Sequence, residues 1–126
     1  MTPILAPEDL FSLEGTVAVV TGGSSGIGLA TAGALASSGA RTILSGMPEH
    51  HPRQIARTLA SKGLPAWGYD CDVTRADHLA GLVRYVLETH GRIDTVCCNA
   101  GVAAARQQIA RQDRTTGLMA IQSQPY

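Results

Sequence analysis

The sequence predicts an α/β fold, a doubly wound parallel sheet with helices on both faces. Three observations carry that prediction. Short apolar runs alternate with segments of helical period, strand after helix after strand. The links between them are short, as crossover connections in a parallel sheet are. The first run, Thr16, Val17, Ala18, Val19 and Val20, is β-branched and almost continuously apolar, as a strand covered on both faces must be.

The elements follow in order. After the first run comes a glycine-rich turn, and then Ile27, Ala30, Thr31, Ala34 and Leu35 recur at helical spacing, which predicts that they form the buried stripe. Gly39 stands where a helix C-terminus favours glycine. The second strand is predicted at residues 41–45, followed by a loop to His51. Pro52 suits the first position of a helix striped by Ile55 and Leu59 and closed by Gly63. The third strand, at 65–73, is weaker. Thr74 and Asp77 have the spacing of a capping box, and Leu79, Leu82, Val83, Val86 and Leu87 form one predicted helix face, ended by Gly91. A fourth strand is predicted at 93–98, leading into Asn99, Ala100 and Gly101. The pattern is βαβαβαβ and stops after the fourth strand.

This divides the chain into a lead-in at 1–15, one partial domain at 16–101 and a tail at 102–126. The tail holds five of the six glutamines and few large apolar residues. A short helix at 103–112 followed by loop or disorder is predicted there.

Composition excludes several classes. The chain has 126 residues, enough for one domain. Ten basic and ten acidic residues balance to zero, without the basic face of a nucleic-acid binder. No apolar run approaches the roughly 20 residues needed to cross a bilayer, so no membrane partner is predicted. Residues 1–15 carry three acids and no Lys or Arg, unlike a secretory leader. Cys71, Cys97 and Cys98 are odd in number and include an adjacent pair, a poor disulfide framework; a reducing, cytoplasmic setting is expected.

The chemistry lies in the first turn. Thr21, Gly22, Gly23, Ser24, Ser25, Gly26, Ile27 and Gly28 join a strand to a helix. A helix N-terminus presents unpaired N–H groups and the positive end of the dipole, which favours a phosphate. Glycines let the backbone approach a pyrophosphate without an intervening Cβ, and Ser24 and Ser25 add hydroxyl donors. The spacing is neither G-x-G-x-x-G nor that of a P-loop.

Thr21, Gly22, Gly26 and Gly28, spaced T-G-x-x-x-G-x-G, resemble the cofactor motif of the short-chain dehydrogenase/reductase family. Leu13, Glu14 and Gly15 resemble its lead-in, Asp72 and Val73 the pair whose acid contacts adenine, and Asn99, Ala100 and Gly101 its N-A-G turn. The resemblance covers 13–101. It implies a Rossmann-like fold, NAD or NADP with its pyrophosphate over 22–28, and hydride transfer to or from an alcohol or ketone. It also implies cofactor contacts from Thr21, Gly22, Ser24, Ser25, Gly26, Ile27, Gly28, Asp72, Val73, Asn99, Ala100 and Gly101. NAD-preferring members carry an acid at the end of the second strand; here Ser45, Gly46 and Met47 stand there, with Glu49 and Arg53 further along, so both dinucleotides stay open.

The resemblance also implies a catalytic serine, tyrosine, lysine and asparagine, with the tyrosine four residues before the lysine. The one lysine is Lys62, and Thr58 stands four before it; Tyr69, Tyr85 and Tyr126 have no lysine partner. No catalytic residue is assigned. The expectation is a chain that binds cofactor without turnover; the alternatives are a non-catalytic regulatory module and a truncated remnant without function. Residues 95–99 are expected to form an open apolar edge through which the chain self-associates.

Other residues have plainer readings. Glu49, His50 and His51 lack metal-ligand spacing, and no metal is predicted. Cys97 and Cys98 point to opposite faces of a strand and read as small buried residues. Trp67 reads as core or rim, Tyr85 as packing, and Asp94 as a strand-edge or turn acid.

Overall fold

The computed structural model describes residues 6–101. After a single helical turn, α1 (Pro7–Leu10), come β1 (Val17–Thr21), α2 (Gly26–Ser37), β2 (Arg41–Gly46), a 3₁₀ turn (Pro48–His50), α3 (Pro52–Ser61), β3 (Ala66–Asp70), α4 (Ala76–His90) and β4 (Thr95–Cys98). The four strands pair in parallel in the order β3-β2-β1-β4. The Rossmann-like, doubly wound sheet expected from the sequence is the architecture found.

Every residue of β1 is buried, because the strand has a neighbour on each edge and a helix layer on each face. Side chains alternate between those faces. Val17 and Val19, with Ile43 of β2, pack against Leu82 and Val86 of α4. Val20 and Leu44 pack against Ala32 of α2 and Ala56 of α3. Helices α2 and α3 thus lie on one side and α4 on the other, as the reversal of strand order after β3 requires.

Glycine ends the helices where expected. Gly39 has φ +103°, and its N–H donates to the carbonyl of Ala36 at 3.0 Å while the N–H of Ala40 donates to Leu35 at 3.1 Å. This Schellman pairing satisfies two terminal carbonyls and turns the chain into β2. Gly63 repeats it at the end of α3, where the N–H of Leu64 reaches Leu59. Pro52 opens α3 as predicted.

Several expectations are corrected. On α2 the buried line is Gly28, Ala32 and Ala36; Ala30 and Ala34 are exposed and Ile27 is 80% exposed. The helix is apolar on all sides, so its period does not mark the buried face, and the smallest residues are the ones that let it approach the sheet. Thr74 and Asp77 do not form a capping box. The helix starts one residue later, with Arg75 at the cap position and no side-chain cap bond. The Asp72 carboxylate captures both the backbone N–H and the hydroxyl of Thr74, at 2.9 and 2.6 Å, and Asp77 is held by the Arg75 guanidinium.

The predicted face of α4 is also split. Leu82 and Val86 are buried, joined by His90, whereas Leu79, Val83 and Leu87 remain 37–47% exposed. Cys97 is half-buried, but Cys98 is exposed, because β4 has one neighbouring strand among the described residues. Strand limits move by one to three residues. β3 is shorter than predicted, since after Asp70 the chain turns away once the Cys71 N–H has bonded Gly46 at 2.8 Å. The helix predicted at 103–112 and the tail beyond it lie outside the described residues.

Candidate functional site

All four strands end at one edge of the sheet, at Thr21, Gly46, Asp70 and Cys98. Between β1 and β4 the strand order reverses, and ligands of open α/β sheets bind in that crevice. The residues singled out in the first turn and in the Asn99 turn meet there.

Thr21 is the hub. Its hydroxyl donates to the Cys97 carbonyl at 3.4 Å and accepts the N–H groups of Asn99 and Ala100, each at 3.1 Å. The Asn99 amide donates to the Gly22 carbonyl at 3.1 Å. These bonds clamp the turn after β4 against the turn after β1.

The glycines are required by space as well as by dihedral angle. A Cβ on Gly28 would lie 2.1 Å from the Gly22 carbonyl oxygen and 2.4 Å from the Asn99 amide nitrogen. Gly22 has φ +64°, and a Cβ there would lie 2.8 Å from the Ala100 Cα. Gly26, at φ +57°, turns the backbone into α2.

The helix start is open. Ser25, at the cap position, makes no side-chain cap bond, and the first turn carries no acid. The first intrahelical bond in α2 runs from the Leu29 N–H to the Ser25 carbonyl. The N–H groups before it point outward with the positive dipole end, the arrangement that holds a phosphate. Ile27 stands exposed at this rim rather than in the core.

The sequence marks Ser24 as a hydroxyl donor and puts Ser45 at the end of the second strand, but does not show that both side chains are buried. The Ser24 and Ser45 hydroxyls are buried with no hydrogen-bond partner among the described residues. Ser24 presses against the end of β2, where a Cβ on Gly46 would meet its oxygen at 2.8 Å. The space that a side chain at position 46 would enter is therefore filled by a hydroxyl. No spacing rule signals this, since the two positions are 22 apart in the chain.

Asp72 lies two residues beyond β3 on the same edge of the sheet. Its two bonds from Thr74 hold its carboxyl below the usual carboxylate range. Its backbone N–H donates to His78 Nδ1 at 3.0 Å. Val73 packs against the core beneath α4. The turn-acid role is thus visible for Asp72, with one oxygen committed to the turn. Asp94 behaves as the strand-edge acid expected. It accepts the Val17 N–H at 2.8 Å and pairs with Arg92, and those bonds hold its carboxyl below the usual range.

The remaining candidates fall away from the site. Tyr85 stacks on Tyr69 with ring centroids 4.9 Å apart, the packing role expected. His50 and His51 are exposed, and among the described residues no group of three metal-ligating side chains converges. Cys71 is buried, which pushes its thiol pKa up. No helix among the described residues is long and apolar enough to cross a membrane.

Comparison with known proteins agrees with this geometry. The chain is 36% identical over 88 residues to "Short-chain dehydrogenase/reductase SDRA" of Arabidopsis thaliana, a match covering 70% of this chain and 35% of that protein. It is 35% identical over 102 residues to "Tropinone reductase-like 1" of Erythroxylum coca, covering 81% of this chain and 36% of that protein. It therefore spans about a third of the length of these curated relatives. A short-chain type dehydrogenase/reductase from Mycobacterium marinum superimposes with a TM-score of 0.77 at 30% identity, covering 94% of this chain and 48% of the other. The family model for short chain dehydrogenases matches residues 16–123. A glycine cradle at the β1–α2 turn, a threonine-centred clamp to the Asn99 turn and a match along most of the sequence lead to one conclusion: the chain belongs to the short chain dehydrogenase family of oxidoreductases.

Proposed function

We propose that this chain is the dinucleotide-binding part of an NAD(P)-dependent oxidoreductase acting on an alcohol/ketone pair, and that by itself it binds cofactor without turning over. The observation that carries the reading is the close packing of Gly22, Gly28 and Asn99 beside the uncapped start of α2, a turn that a single Cβ would force apart. The residues fit a pyrophosphate. The N–H groups at 26–28 would hold it, with Ser25 at the rim, while Thr21, Asn99, Ala100 and Gly101 shape the floor. Asp72, with Val73 packed beneath it, would face the adenine end. A bound dinucleotide supplies the hydride donor or acceptor; the chain's own part is to bind and orient it.

The reading without turnover rests on the pairing of tyrosine and lysine, which Lys62 cannot provide. A general acid must stand within hydrogen-bond reach of the reacting oxygen with a tuned pKa. Tyr85 and Asp94 are committed to packing and to β1. The three free cysteines suit a reducing, cytoplasmic setting. The open edge of β4, where Val96 is 54% exposed, is the surface through which we read self-association.

Titration calorimetry of the full chain with NADP and with NAD tests the proposal. Saturable binding that Gly28→Ala abolishes is expected; a folded sample that binds neither dinucleotide overturns it. Oxidation of NADPH or NADH by the pure chain in the presence of a ketone would overturn the part concerning turnover.

A further inference from the structure

The sheet has a second site, on the side away from the glycine turn. Strand β3 is the outer strand, and among the described residues nothing pairs with its far edge. In a parallel ladder alternate residues bond to each neighbour. The Thr42 N–H bonds the Pro65 carbonyl, and the Cys71 N–H bonds Gly46. Residues 65, 67, 69 and 71 thus face β2, and Ala66, Gly68 and Asp70 present their backbone N–H and C=O groups outward.

A groove of about 340 Å³ runs along that edge. Its walls differ in chemistry. Arg53 and Arg57, one turn apart on α3, line one side; Trp67 and Tyr85 line the other. Gly68 brings the arginines close. A Cβ there would lie 2.5 Å from the Arg53 Cα, so α3 sits directly against the edge strand. Among the described residues no acidic side chain lines the groove. Asp70, at its end, lies 3.7 Å from the Arg53 guanidinium, and both side chains are partly exposed.

We propose that this edge accepts an extended acidic peptide segment as a fifth strand. An added strand hydrogen-bonds the free backbone groups, and its side chains alternate between the two walls. Those on the α3 side meet two guanidiniums, which fit carboxylates. Those on the other side meet Trp67 and Tyr85, which fit apolar groups. The recognised chemistry is a strand alternating acidic and apolar residues. The chain's own residues 102–126 carry three arginines and one aspartate, the wrong sign for this wall.

Trp67 is the only tryptophan in the chain and lines the groove, so its fluorescence responds to binding there. The test titrates the full chain with a seven-residue peptide alternating glutamate and valine. Its controls are a peptide with lysine for glutamate and an N-methylated form of the acidic peptide. Saturable change in Trp67 emission with the acidic peptide only is expected. The double variant Arg53→Gln/Arg57→Gln, with an unchanged circular dichroism spectrum, weakens binding roughly fivefold or more, as loss of two surface ion pairs predicts. Equal binding of the N-methylated or the lysine peptide overturns the proposal, as does no saturable change. None of the residues assigned to the dinucleotide site lines this groove, so failure here leaves the cofactor reading intact.

Discussion

Gly28 and Gly33 lie on the same helix, and a methyl group has opposite consequences at the two. At Gly28 it meets backbone at 2.1 Å, which cannot yield without moving the turn; at Gly33 it meets nothing within 4 Å. Gly28→Ala is expected to cost about 1–3 kcal/mol and to abolish dinucleotide binding. Gly33→Ala is expected to gain roughly 0.5–1 kcal/mol, because alanine loses less backbone entropy in a helix, and to leave binding intact. Denaturant melts and calorimetry of the two variants check both. The steric need for glycine in this turn was legible in the sequence, because close backbone approach needs glycine wherever it occurs. The partners of Thr21 and the Ser24–Gly46 contact were not. Each depends on where a distant segment lands, and spacing along a chain carries no such information.

At the scale of elements, existence was easier to read than orientation. Four strands and three helices stand where apolar period and capping glycines put them. The buried faces of α2 and α4 were misassigned in part. One helix is apolar all round, and the other has an apolar flank that no described element covers. The split face of α4 has a measurable counterpart. Leu82→Ala, in the core, is expected to cost about 2–4 kcal/mol, and Leu87→Ala, 47% exposed, less than about 1.5 kcal/mol, in denaturant unfolding. His90 ends the same helix, edge-on to Trp67 with centroids 4.6 Å apart. Burial, and then the charge of Arg41, hold its pKa below the ordinary imidazole range. The unfolded chain therefore binds a proton that the folded chain refuses. Stability contributed by neutral His90 is present above about pH 6.5 and falls as the pH drops through that value. His90→Phe should remove this slope, which unfolding midpoints at about pH 7.5 and 5.5 measure.

At the scale of the whole molecule, the described residues form a four-stranded sheet with β1 buried among neighbours and β4 exposed on its outer side. Val96 and the flank of α4 at Leu79, Val83 and Leu87 leave apolar surface uncovered among the described residues. Unpaired edges of this kind invite pairing with another chain. A charge on the edge opposes it. Val96→Lys is expected to shift the sedimentation profile toward monomer at a given concentration, and an unchanged profile would place any association elsewhere. The order of strands, not their number, makes the binding crevice. Thr21 lies on β1, but the groups that complete its bonds come from residues 97 to 100, on the strand that crosses back. A ribosome-bound chain that has released three strands thus has a glycine turn but no clamp to shape it. Cofactor affinity would be acquired in a single step as β4 docks, and dinucleotide present at that moment would trap the newly assembled sheet.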